Sequence, residues 1–144
     1  MKSLSFILVL LFTISFSFAN ETDDFKNKAR ELKTNNEFKD AIKFYIKAIK
    51  LTEEEKQLAE LYFEVSDCYF QIGNKKMAIR VIEEAIIKFG VTKMDIISND
   101  FTCCTTNYFL VDNIKNYNSL RQKYISKLKD IDAFLIYDDY LVKK

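Results

Sequence analysis

Phe25–Leu51, FKNKARELKTNNEFKDAIKFYIKAIKL, and Tyr62–Phe89, YFEVSDCYFQIGNKKMAIRVIEEAIIKF, are two versions of one pattern. Laid with Ala41 over Ala78, they also set Phe25 over Tyr62, Ala29 over Ser66, Leu32 over Tyr69, Tyr45 over Ile82 and Ala48 over Ala85, each pair 37 positions apart. Self-similarity at a fixed period marks a stacked array of one supersecondary unit. The punctuation identifies the unit. The chain has two glycines and no proline, and both glycines lie in or beside the second copy. Gly73-Asn74 reads as a tight turn, because glycine reaches positive φ without steric cost. Gly90 stands just past an apolar-periodic run, where a helix C-cap belongs. In the first copy Asn35-Asn36 fill the turn, and asparagine tolerates the same geometry. Each copy is predicted as helix, turn, helix.

Small side chains say how the helices meet. Ala41 and Ala48 are seven apart, as are Ala78 and Ala85, so each pair lies on one helical stripe. Alanine there lets a partner helix approach closely, while Tyr45 or Ile82 between the two fills the groove.

These residues resemble the tetratricopeptide repeat, a helix-turn-helix unit of 34 residues. The family's large–small–large first helix is matched by Phe25, Ala29 and Leu32, then by Tyr62, Ser66 and Tyr69. Its small–large–small second helix is matched by Ala41, Tyr45 and Ala48, then by Ala78, Ile82 and Ala85. Lys28 and Lys75 stand where the family has apolar and aromatic residues, and Glu53 and Gly90 replace its closing proline. The resemblance implies an all-α fold with repeats at 22–55 and 59–92, inside one helical domain of residues 20–144. It also implies a concave groove, lined by the first helices, that takes a peptide or protein segment. The residues it would place there include Lys26, Arg30 and Lys33 from repeat one and Phe63, Asp67, Phe70 and Gln71 from repeat two. The three cations share one helical face, and Phe63 and Phe70 would serve as apolar anchors, so a partner with acidic and apolar residues is expected. Two other readings stay open: a solvated cationic face, and phenylalanines that belong to the core or contact the C-terminal helices.

The chain opens MKSLSFILVLLFTISFSFAN: one lysine, an uncharged apolar run from Leu4 to Phe18, then Ser17-Phe18-Ala19. That is the layout of a secretory signal peptide over residues 1–19, and export to a periplasm or the exterior is expected. The run is shorter than the roughly 20 residues a spanning helix needs; the alternative is an uncleaved anchor. No stable membrane span is expected once the leader is removed. Lys and Arg number 22 against 21 Asp and Glu, a balance unlike the basic excess of nucleic-acid binders. Histidine is absent, which removes Ser-His and Cys-His nucleophilic pairs and histidine-containing zinc sites. No cofactor or metal is expected.

From Lys93 the pattern changes. Asn99–Asn107, NDFTCCTTN, reads as a loop, and Leu120, Tyr124, Leu128, Ile131 and Leu135 recur at helical spacing. Residues 93–144 are expected to be a loop plus capping helices, since an array must cover its last apolar face, with a break near Asp138. Cys68, Cys103 and Cys104 are an odd number for an exported chain. Inert thiols, a bridge from Cys68 to one of the pair, a Cys103–Cys104 ring and a three-thiol metal site all fit. The functional expectation is a non-catalytic protein-interaction module, an adaptor or assembly factor. The alternatives are an inhibitor or immunity-type protein for one folded partner, and an enzyme built on carboxylates or on Cys103 and Cys104.

Overall fold

The computed structural model describes residues 21–142, with side chains over residues 21–131. The leader read at residues 1–19 lies outside the described residues. Among the described residues seven helices follow one another and there is no strand. They are α1 (21–34), α2 (Phe38–Leu51), α3 (Glu55–Gln71), α4 (Lys75–Phe89), α5 (Lys93–Ile97), α6 (Cys104–Asn113) and α7 (Tyr117–Val142). Helices α1 and α2 form the first pair and α3 and α4 the second. Helix α2 packs on α3, and α4 on α7 and α6.

The turns sit where the sequence put them. Asn36 has φ 63° and Gly73 φ 79°, so the two copies use the same left-handed residue between paired helices. Asn74 then caps α4, its side chain accepting the Met77 N–H at 3.3 Å. Asn116 (φ 58°) repeats the device ahead of α7.

Ala29, Ala41, Tyr45, Ala48, Ala78, Ile82 and Ala85 are all fully buried. Ser66, the second-copy counterpart of Ala29, is buried as well, and its hydroxyl donates to the Ala78 carbonyl at 2.9 Å. A small polar residue fits that tight seam because the neighbouring helix supplies its acceptor. Two core clusters result, one around Ala41 and Tyr45 and one around Ala78 and Ile82. Ile49, Tyr69 and Val81 pack against both and join them.

Gly90 closes α4 in a left-handed conformation, φ 69°. It is also hemmed in: a Cβ there would fall on the Tyr124 ring of α7, and the Arg121 guanidinium donates to the Gly90 carbonyl. The residue that ends the second repeat is thus also the seat of the C-terminal helix.

The third section departs from expectation in two places. The NDFTCCTTN stretch is not all loop, because α6 begins at Cys104. Thr106 and Asn107, poor helix formers, are held there by bonds to Asp67, to Thr102 and to the Asn99 carbonyl. Helix α7 runs unbroken through Asp138 to Val142. Among the described residues no helix is long and apolar enough to cross a membrane.

Candidate functional site

The face of α3 that the repeat turns toward α1 and the C-terminal section carries Lys56, Glu60, Phe63, Asp67 and Phe70, residues three or four apart along one stripe. It divides into a covered end and an open end.

At the covered end, the cations of α1 meet the carboxylates of α3. The Lys33 ammonium lies 2.6 Å from Glu64 Oε2 and 2.9 Å from Asp67 Oδ2, and it also donates to the Phe101 carbonyl at 2.8 Å. Arg30 Nε reaches Glu64 at 3.4 Å, while Lys26 pairs with Asp23 at 2.7 Å. Both α3 carboxylates are nearly sequestered, Glu64 at 5% and Asp67 at 3% exposure. Burial alone would lower the Lys33 pKa; Glu64 and Asp67 outweigh it and hold the ammonium above the ordinary lysine value. Burial alone would raise Asp67; its bonds from Lys33 and Thr106 outweigh it and hold the carboxyl below the usual aspartate value.

The C-terminal section closes over this cluster. Thr106 of α6 donates to Asp67 at 2.7 Å, Gln71 donates to Asp67 and to Cys103 Sγ, and the Phe70 ring packs on Phe109 with centroids 5.1 Å apart. Lys75 stands over both rings, 5.6 Å from Phe70 and 5.3 Å from Phe109. An ammonium over two mutually tilted rings holds them by cation–π attraction at the position where the family has an aromatic residue. Of the residues expected to line the groove, the structure brings Lys33, Asp67, Phe70 and Gln71 together around the chain's own residues 101–109. Arg30 and Lys26 are drawn into ion pairs at its flank. Phe63, 5% exposed, belongs to the core cluster and to the open end. Glu64, Thr106 and Phe109 were not singled out in the sequence. Glu64 and Asp67 are spaced i, i+3 like Arg30 and Lys33 two helices earlier, on α1, and that matched spacing was the available signal.

At the open end lies a cleft of about 390 Å³ between the first half of α3 and the α5–α6 connection. Ala59, Phe63, Phe89, Val91 and Phe101 form its apolar lining, with Lys56, Glu60, Asp95 and Asp100 around it. Its far wall is anchored by a capping box, in which Thr92 Oγ1 accepts the Asp95 N–H and the Asp95 carboxylate accepts the Thr92 N–H.

The three cysteines are free thiols. Cys68 is fully buried, and burial pushes its pKa up to about 12, which leaves it protonated and inert. Cys103 and Cys104 are exposed; Cys103 Sγ lies 2.9 Å from the Thr106 hydroxyl.

The paired helices, the left-handed turns and the buried alanine stripe define an array of helix-turn-helix repeats. The Tetratricopeptide repeat family model matches residues 27–55 and 59–86, so the chain carries two tandem tetratricopeptide repeats. Such repeats make this a protein–protein interaction module. No curated protein and no solved structure matches the chain.

Proposed function

We propose that the chain is an exported, non-catalytic adaptor or assembly factor that holds a segment of a partner protein against the first-helix face of its repeats. The observation that carries this reading is the division of that face: one end is filled by residues 101–109, and the other is left as a lined cleft. The signal-like leader supports export. A second reading, an inhibitor or immunity-type protein closing on one folded partner, draws support from the same division. A groove already filled at one end offers a short, rigid footprint rather than a long peptide channel.

A photocrosslinker placed at Lys56, beside the cleft, or at Lys39, exposed on α2, tests the module in the cell that makes it. A discrete adduct from position 56 and none from 39, on protein recovered outside the cytoplasm with Asn20 at its N-terminus, is the expected result. Protein retained in the cytoplasm, or equal adducts at both positions, would count against the reading. An adduct that a short peptide from the partner displaces favours the adaptor, and one that only the intact folded partner displaces favours the inhibitor.

A further inference from the structure

The charge of the two ends of the α3 face differs, and the difference selects the partner. The cations expected to attract an acidic segment are spent inside the molecule: Lys33 on Glu64 and Asp67, Arg30 on Glu64, Lys26 on Asp23. An acidic ligand would have to displace the buried, bonded Glu64 and Asp67 from Lys33 and Arg30, and the exposed Asp23 from Lys26. At the open end the balance is reversed, with Glu60, Asp95 and Asp100 against Lys56. Glu60 and Asp100 make no ion pair among the described residues. Most of the cleft's wall, Lys56 and the residues from Phe89 to Phe101, lies outside the two matched repeats. Its chemistry is therefore this chain's own.

We infer that the cleft between α3 and the α5–α6 connection is a docking site for a partner segment carrying an aromatic or aliphatic side chain beside a lysine or arginine. This rests on the reading of the chain as an interaction module and gives that module its ligand chemistry. At about 390 Å³ the cleft is at the small end of the roughly 300–1,000 Å³ typical of ligand pockets, enough for a few side chains. The apolar side chain enters between Phe63 and Phe101, leaving its backbone at the mouth. The neighbouring cation then reaches Glu60 or Asp100, two carboxylates that make no ion pair among the described residues. Complementary charge at a rim selects partners and speeds encounter more than it adds affinity, so the buried side chain supplies most of the binding and the cation supplies the choice.

The test is a selection of phage-displayed random dodecapeptides on the immobilised full chain. Enriched sequences are remade as synthetic peptides and titrated by fluorescence anisotropy. The titrations compare the unaltered protein with Ala59→Phe, which plugs the cleft, with Glu60→Lys plus Asp100→Lys, which reverses its rim, and with Lys43→Glu on the outward face of α2. Circular dichroism melts of each variant separate lost binding from lost fold. The expected result is peptides with an apolar residue within two positions of Lys or Arg. They should bind both cleft variants about tenfold more weakly or worse, with Lys43→Glu unchanged. Acidic peptides, or peptides that bind the cleft variants as well as the original, overturn the site while leaving the module reading standing. No enriched peptide, together with no crosslinked partner, removes both. A self-association seen by sedimentation and abolished by Ala59→Phe would put a second copy in the cleft and also overturn the proposed occupant.

Discussion

Lys33 donates to acceptors from two other segments, the Glu64 and Asp67 carboxylates of α3 and the Phe101 carbonyl ahead of α6. Two buried carboxylates side by side are tolerable only with that cation between them. Lys33→Met should therefore cost about 3–5 kcal/mol, the penalty of leaving buried charge unpaired, measured by urea unfolding at neutral pH. The same cluster sets the acid limit. Asp67 has its folded pKa held below its unfolded value of about 3.9. Its contribution is thus fully present above that value and is lost as pH falls through the lower, folded one. The unaltered protein should lose stability below about pH 4 more steeply than Asp67→Asn, which starts less stable at neutrality. Parallel pH profiles would show that Asp67 is not bonded as described. The thiols make a third residue-scale prediction: iodoacetamide on the folded protein should modify Cys103 and Cys104 within minutes and Cys68 only after denaturant is added. Modification of all three at one rate would place Cys68 at the surface.

At the scale of the element, the alanine stripe and the left-handed turns carry the fold. Ala78→Leu should overpack the seam and cost about 1–3 kcal/mol, whereas Lys76→Leu, exposed on the same helix, should shift Tm by little. Gly90→Ala is strained twice, by its positive φ and by the Tyr124 ring. It should loosen α7 from α4, seen as faster amide exchange in α7 than in α2. These elements were legible from the sequence for a physical reason: small residues seven apart and Gly or Asn at a turn are local requirements that only a few side chains meet. Helix α6 was not legible. Its first turn is Cys, Thr, Thr and Asn, residues that read as a loop by propensity, and it is stabilised by bonds to Asp67, Asn99 and Thr102. Long-range partners override local preference, and a local reading does not contain them. The groove failed to read for the same reason. The cations were visible, but the offset that lays Lys33 on Glu64 and Asp67 appears only once α1 and α3 are packed.

Over the whole molecule, the repeats and the C-terminal section build one continuous face, which the proposed function uses for recognition. Two helix pairs alone would expose the full α3 stripe, including Asp67 and Phe70. The chain returns through residues 101–109, covers those two and leaves Ala59 and Phe63 facing a cleft. Pairing with Glu64, Asp67 and Asp23 removes the basic character that α1 suggests, and the covered face keeps an acidic rim; on the proposed function, the C-terminal section thereby sets what the repeats can bind. The contact on which this depends is the Thr106 hydroxyl on Asp67. A double-mutant cycle of Asp67→Ala and Thr106→Val, read by urea unfolding, measures it most directly. A coupling of about 1.5–3 kcal/mol is predicted for a buried hydrogen bond to a charged group. Effects that simply add, within about 0.5 kcal/mol, would mean that α6 does not close over the α3 face, and the account of how this surface is divided would fail.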